Sequence, residues 1–283
     1  MKLLLETLKA GTGYLEKHGI EDARLNMEHL LAHVLRCRRL ELYLRFGEQL
    51  QESDLEKLRG LVKRRGEGEP LQHLLGTVEF CGTELVCDHR ALVPRPETER
   101  LVELLIGKFG DHPPASVLDV GTGSGCIGLS LAKVWADKSS SFSLIDISED
   151  ALELARLNAS RLGLSAAAIR FMRSDLFEKV ESDFDLIVAN LPYIPAAEIP
   201  TLSAEVRRDP LLALDGGPVG TEIIERLITD CQMRLKSGGW IALEIGHDQA
   251  PAVAGFCETA GMTGIKAEKD FAGIDRFVFA CRA

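Results

Sequence analysis

The sequence has no excess of positive charge, no Cys-x-x-Cys pair, no zinc-type His/Cys spacing and no long apolar run. Each absence excludes a class of protein. The net charge is −10 over 283 residues. Residues 81–283 carry all of that excess, with 20 Lys/Arg against 30 Asp/Glu, whereas residues 1–80 balance at 13 and 13. An acidic main body argues against tight sequence-independent binding to nucleic acid, because neutralising phosphates needs basic surface. The seven cysteines (Cys37, Cys81, Cys87, Cys126, Cys231, Cys257 and Cys281) are odd in number and scattered. They read as buried small apolar residues in a reducing compartment, and no metal site is expected. No apolar run reaches the ~18 residues of a membrane span. Leu3-Leu4-Leu5 is interrupted by Glu6 and Lys9, so no signal peptide is read and a cytoplasmic protein is expected.

What is present is an ordinary globular composition, 46% hydrophobic and 27% charged, in a chain long enough for two domains. Residues 1–65 read as a small helical domain. Leu25, Leu30, Leu31, Val34 and Leu35 follow a helical stripe. Ser53 with Glu56 reads as a capping box ahead of Leu55, Leu58, Leu61 and Val62. Arg36, Arg38, Arg39, Arg45, Lys57, Arg59, Lys63, Arg64 and Arg65 cluster here, and solvated helix faces are the favoured reading. Residues 66–95 read as a linker with a β-hairpin, Thr77–Phe80 against Glu84–Cys87.

Residues 96–283 alternate strand and helix. Strands are expected at 116–120, 142–146, 168–172, 184–189 and 240–245, then at 263–269 and 275–281. Helices are expected at 125–135, 149–162, 219–236 and 248–260, with another directly after Pro96. Continuously apolar strands such as Leu186-Ile187-Val188-Ala189 imply a mostly parallel sheet covered by helices, with a C-terminal hairpin adding an antiparallel strand.

Ser116-Val-Leu-Asp-Val-Gly-Thr-Gly-Ser-Gly-Cys-Ile-Gly128 is a strand, a glycine-rich turn and a helix start. Gly123, Gly125 and Gly128 satisfy the dinucleotide fingerprint. Equally, Asp119, Gly121, Gly123 and Gly125, with Thr122 and Ser124 between them, form the pattern typical of S-adenosylmethionine enzymes. In either reading Asp146, at the next strand end, binds a ribose. Asp175 would face an adenine amino group, with Leu176 beside it. Gly121–Gly125, Asp146, Asp175 and Asn190 close four successive strands, where ligands of open α/β sheets bind.

Phe184-Asp-Leu-Ile-Val-Ala-Asn-Leu-Pro-Tyr-Ile-Pro195 places Asn190 and Tyr193 after a buried strand. Pro192 biases Leu191 towards an extended backbone. The Asn190 oxygen and the Leu191 carbonyl would then make two acceptors for one NH2 group, with Tyr193 stacked on its plane. Such a pair orients a weakly nucleophilic nitrogen towards a sulfonium methyl.

These residues resemble the HemK/PrmC-type protein-(glutamine-N5) methyltransferases. The resemblance rests on Glu69-Pro-Leu-Gln-His-Leu-Leu-Gly76 with Glu79-Phe80, on Val93-Pro-Arg-Pro-Glu-Thr-Glu99 and on Leu118–Gly125. It continues through Ser174-Asp-Leu-Phe177, Asn190–Pro195, Ala213-Leu-Asp-Gly-Gly217, Leu243-Glu-Ile-Gly246 and Gln249. It implies a class I S-adenosylmethionine-dependent methyltransferase fold, Rossmann-like with a seven-stranded sheet, behind an N-terminal domain that docks class I peptide chain release factors. It implies transfer to the glutamine of a Gly-Gly-Gln loop. Asn190 and the position-191 carbonyl then hold the glutamine amide, Pro192 and Tyr193 shape the slot, and Arg95 and Glu97 lie near the pocket. S-adenosyl-L-homocysteine is the product, and a monomer without a stable nucleic-acid or membrane partner is expected. The usual motif is Asn-Pro-Pro-Tyr; Leu191 departs from it but keeps the main-chain carbonyl, and Leu191→Pro should change the rate only modestly. Asn-Leu-Pro-Tyr is also how ribosomal RNA adenine dimethyltransferases write this motif, which leaves N6-adenine methylation of RNA or DNA as the alternative. A nicotinamide oxidoreductase and a catalytically silent cofactor-binding protein are weaker alternatives.

Overall fold

The computed structural model describes residues 2–135, 140–165 and 168–283. The chain divides into two compact units. One runs to Thr77 and includes Leu202–Arg208; the other holds Val78–Thr201 and Asp209–Ala283. Among the described residues, no helix is long and apolar enough to cross a membrane.

The first unit contains α1 (Leu4–Lys17), α2 (Ala23–Leu35), α3 (Glu52–Gly66) and the short α4 (Leu71–Leu75), with a 3-10 turn at Arg39–Leu44. Its core gathers Leu4, Leu8 and Leu15 with Met27, Leu30, Leu31, Leu42, Leu55, Leu58 and Leu74. The unit thus extends past residue 65, because Leu71, Leu74 and Leu75 of α4 pack on that core. Leu25 stands 40% exposed and is not part of the stripe. Ser53 does not cap α3: the helix begins at Glu52 behind Gln51, and no side chain bonds its first turn.

One of the clustered arginines, Arg65, is buried rather than solvated, and the partly exposed Arg39 reaches in to a buried carboxylate. Arg39 donates to Glu28, a carboxylate 2% exposed that also accepts from Arg24 and the Tyr43 hydroxyl. Burial works against that charge, but Tyr43, Arg39 and Arg24 outweigh it and hold the Glu28 pKa below its ordinary value. Arg65 is 4% exposed and donates to Asn26 Oδ1 (2.7 Å), the Glu69 carbonyl (2.9 Å) and Glu205 Oε2 (2.6 Å). The Glu205 bond, with Arg208 donating to the Glu67 carbonyl (3.0 Å), ties the distant Leu202–Arg208 segment into this unit. Arg65→Met removes all three bonds and should destabilise the unit by about 3 kcal/mol, since it strands buried partners. Amide exchange in α2 and α3 of the full-length protein should accelerate roughly a hundredfold; unchanged exchange would return Arg65 to the surface cluster.

The hairpin of β1 (Thr77–Phe80) and β2 (Thr83–Val86) opens the second unit from Val78 on. A seven-stranded sheet follows: β3 (Ser116–Val120), β4 (Ser141–Asp146), β5 (Ile169–Arg173), β6 (Phe184–Asn190), β7 (Leu235–Glu244), β8 (Met262–Lys269) and β9 (Asp275–Arg282). Their order is β5-β4-β3-β6-β7-β9-β8. The first five strands in that order run parallel, and β9 pairs antiparallel with β7 and β8. Alternate residues feed two cores: Leu118, Val120, Ile187 and Ala189 face one side, and Val117, Leu186 and Val188 the other. The helices are α5 (Pro96–Phe109), α6 (Cys126–Val134), α7 (Glu149–Arg161), α8 (Glu222–Cys231) and α9 (Ala250–Thr259).

α8 is shorter than the 219–236 expected, and β7 begins at Leu235 rather than 240. The strand takes in Ser237-Gly238-Gly239 as an irregularity between Leu235 and Trp240, with Gly238 at φ +74°. The topology fixes where a ligand can lie. From β3 the chain steps outward to β4 and β5, then returns to β6 on the other side of β3. The switch point therefore lies between the carboxyl ends of β3 and β6, where a crevice opens.

Candidate active site

At that crevice Val120 of β3 pairs with Ile145 on one side and Ala189 on the other. Gly121, Asp146 and Asn190 thus emerge beside one another from three neighbouring strands. Ser174 follows β5, and its N–H donates to the Asp146 carbonyl at 3.0 Å, which carries the row of strand ends one strand further. A cavity of about 230 Å³ lies over this row.

The glycine loop leaves room for it. Gly121 and Gly123 take φ +66° and +56°, a region costly for other residues. A Cβ on Gly121 would stand 2.8 Å from Leu191 Cδ2, so the loop and the segment after β6 touch there. Asp119 is buried under the loop. Its Oδ2 accepts from the Thr122 hydroxyl (2.6 Å) and the Gly128 N–H (2.9 Å), and its Oδ1 has no partner among the described residues. Burial pushes its pKa up to about 6. Gly128 is explained by this packing, because a Cβ there would lie 2.8 Å from Asp119 Oδ2.

Asp146 faces the cavity. Its Oδ2 accepts from the Gly123 N–H and its Oδ1 from the Ser148 N–H, both at 2.9 Å. Burial raises its pKa, while those N–H groups and that of Ile147 oppose the rise. Asp175 also lines the cavity, paired with Arg226 at 3.3 Å. Leu176 lines it in a left-handed conformation, φ +44°. The Ser174 hydroxyl holds that strained residue by donating to its carbonyl (2.8 Å) and accepting from the Lys179 N–H (3.1 Å).

Asn190 and Leu191 close the inner end. Asn190 Nδ2 donates to Thr98 Oγ1 (3.1 Å), which donates in turn to Glu244 Oε2 (2.7 Å). Oδ1 of Asn190 is thereby left to accept. Among the described residues none donates to the Leu191 carbonyl. The segment is braced from below. Gln249 Nε2 donates to the carbonyls of Tyr193 (2.9 Å) and Gly220 (3.1 Å), while its Oε1 accepts from the Gly246 N–H. Gly216 fits because a Cβ there would meet the Pro192 carbonyl at 2.8 Å.

Gly121, Thr122, Gly123, Ser124, Asp146, Asp175, Leu176, Asn190, Leu191, Pro192 and Arg95 of the expected set all line one cavity. Asp119, Gly125, Glu97 and Tyr193 are not among its lining residues. Asp119 ties the loop from beneath, and Gly125 (φ +84°) starts α6 where a Cβ would meet Leu129 at 2.7 Å. Tyr193 packs against the core, and burial pushes its hydroxyl up to about 12. Arg95 is held by Asp209 Oδ2 (2.6 Å), whose Oδ1 accepts from the Val93 N–H (3.1 Å).

Sequence reasoning missed part of the wall. Arg90, Ala91 and Leu92 line the cavity from a stretch that reads only as linker, and Arg226 lines it from α8. Thr98 and Glu244 belong to quoted motifs, but nothing in the sequence pairs them. The donor set fits S-adenosylmethionine. The glycine turn, free of side chains at Gly121 and Gly123, leaves room for the amino-acid end, the Asp146 acceptors suit a diol, and Leu176, Ile147 and Leu92 give apolar walls for an aromatic base.

Comparison with known proteins gives the chain's family. Residues 6–76 match the PrmC N-terminal domain, and residues 96–204 match the methyltransferase small domain. A release factor glutamine methyltransferase from Rhodopirellula baltica is 39% identical over 97% of this chain and 95% of its own length. One from Geobacter sulfurreducens is 40% identical over 94% and 92%. A solved methyltransferase from Pyrococcus furiosus, 19% identical, superposes with a TM-score of 0.54 over 72% of this chain and 90% of its own, which speaks for the fold alone. The chain belongs to the release factor glutamine methyltransferase family of S-adenosylmethionine-dependent methyltransferases.

Proposed function

We propose that this protein methylates the side-chain amide N5 of the glutamine in the Gly-Gly-Gln motif of class I peptide chain release factors, with S-adenosylmethionine as donor. The observation that carries the reading is the pair of acceptors at the end of β6. Asn190 commits its NH2 to Thr98 and leaves Oδ1 to accept, next to the Leu191 carbonyl. Two adjacent acceptors match the two hydrogens of one primary amide.

S-adenosylmethionine, when bound, supplies an electrophilic methyl group. Gly121–Ser124 would hold its amino-acid end, Asp146 its ribose, and Asp175 with Leu176 its adenine. Asn190 Oδ1 and the Leu191 carbonyl accept the glutamine amide hydrogens, fix the plane of the amide and stabilise positive charge developing on nitrogen. Pro192 and the Gln249 brace keep the Leu191 carbonyl in place. Arg95, locked by Asp209, forms part of the wall beside them.

Incubation with labelled S-adenosylmethionine tests the reading on three substrates: a purified class I release factor, its glutamine→alanine variant at Gly-Gly-Gln, and deproteinised ribosomal RNA. Label on the wild-type factor alone is the expected result. Label on RNA instead would replace this reading with adenine methylation.

A further inference from the structure

Thr98 and Glu244 form a buried chain behind Asn190. Thr98 is 2% and Glu244 2% exposed, and they sit 146 positions apart in sequence. The direction of each bond follows from chemistry. An ionised carboxylate can only accept, so Thr98 must spend its one hydroxyl hydrogen on Glu244. The Thr98 oxygen is then available only as an acceptor towards Asn190. An asparagine amide has an oxygen end and a nitrogen end of nearly the same shape, and the chain decides which end points where. Its NH2 must face Thr98, so its oxygen must face the crevice.

Building on the function proposed above, we propose that Glu244 and Thr98 are positioning residues that set the polarity of the Asn190 amide, and so select an NH2-bearing nucleophile. Glu244 is not among the cavity's lining residues; Thr98 is, and it acts through the Asn190 amide from which it accepts. Their effect is to make Asn190 an acceptor rather than a donor where the glutamine amide must dock. A donor there would oppose the substrate NH2, so the wrong polarity costs specificity as well as rate.

The arrangement has a pH dependence. Arg276 of β9, Glu97 of α5, Tyr193 after β6 and Cys126 at the start of α6 interact electrostatically with Glu244. Burial pushes the Glu244 pKa up to about 7 and Glu97 adds to the rise, while Thr98, Arg276 and Asn190 oppose it. Protonation gives Glu244 a hydrogen of its own to donate. Thr98 can then accept from Glu244 and turn its own hydrogen towards Asn190, and the fixed polarity is lost. Transfer to glutamine should therefore fall as pH drops through this range.

The test measures kcat and KM for a class I release factor at saturating S-adenosylmethionine between pH 6 and 8.5, with wild type, Glu244→Gln, Thr98→Val and Thr98→Ser. Glutamine can either donate or accept, so Glu244→Gln should cost about tenfold or more in kcat/KM and flatten the pH profile. Thr98→Val keeps the shape but loses the hydroxyl and should behave alike; Thr98→Ser restores it and should return close to wild type. Affinity for S-adenosylmethionine, read by calorimetry, should stay unchanged in all three and shows that each variant folds. Wild-type kcat/KM and pH profile in both Glu244→Gln and Thr98→Val would overturn the positioning role and leave the methyl-transfer reading standing. Failure of the wild type to label the release factor would overturn that reading, and this inference with it.

Discussion

Asn190→Ala is expected to slow glutamine methylation by about a hundred- to a thousandfold, the range set by losing one preorganised polar contact to the reacting group. Affinity for S-adenosylmethionine should change far less, because Asn190 contributes one group to a wall built mainly by the glycine loop and the strand-end carboxylates. The variant keeps the Leu191 carbonyl, so the nitrogen retains one acceptor and loses the second that fixes its plane. One held hydrogen leaves the amide free to rotate, and the productive geometry becomes a minor population. Asn190→Asp sharpens the argument. It keeps an oxygen towards the crevice but places a second carboxylate against Thr98, whose single hydrogen already serves Glu244. Two acceptors then compete for one donor beside a buried charge, and Asn190→Asp should be no better than Asn190→Ala. The readout is single-turnover transfer to a release factor beside calorimetric affinity for the donor. Equal losses in both would make Asn190 a structural residue.

The strand ends were legible because their chemistry is local. An apolar run followed by glycines, Asp146 or Asn190 announces both a buried strand and a polar group at its exit, and four such exits in a row define one sheet edge. The N-terminal helices and the closing hairpin were legible for the same reason, as periodicity and turn residues act over a few positions. What failed was settled by longer-range packing. Ser53 looks like a cap, yet α3 starts one residue earlier. Arg39 and Arg65 look like surface charge, and only the fold brings Glu28, Asn26 and Glu205 against them. Residues 90–92 read as linker because nothing local shows a cavity beside them. Tyr193, expected to stack on the substrate amide, is partly buried against the core with its carbonyl held by Gln249, an anchoring that no local pattern announces. Thr98 and Glu244 sit in motifs whose residues can be quoted from the sequence, while their contact requires β7 and α5 to meet.

Asp146→Ala should weaken binding of S-adenosylmethionine by about a hundredfold, the loss of charge-assisted hydrogen bonds worth roughly 1.5–3 kcal/mol each. The Asp146 carboxylate already accepts two N–H groups, from Gly123 and Ser148. A carboxylate has about four acceptor sites, so it has capacity left for a ribose diol while it pins the glycine loop. Alanine removes both functions. Asp146→Asn separates them, because one oxygen cannot serve two diverging N–H groups and the diol together; an intermediate loss is expected. Asp175→Ala should cost less, since that carboxylate is one-third exposed and shared with Arg226 at 3.3 Å. The sign of the pH effect follows from burial. The Asp146 pKa is raised, so acidification neutralises the carboxylate sooner than it would a free aspartate, and the diol loses its acceptor. Affinity measured by calorimetry should therefore weaken on acidification at a higher pH than a solvent-exposed aspartate would require, and change less in Asp146→Ala. That axis is separate from the one governed by Glu244, which acts on transfer to glutamine and leaves donor affinity alone. Unchanged affinity in Asp146→Ala would remove this carboxylate from the cofactor site and leave it as a brace for Gly123.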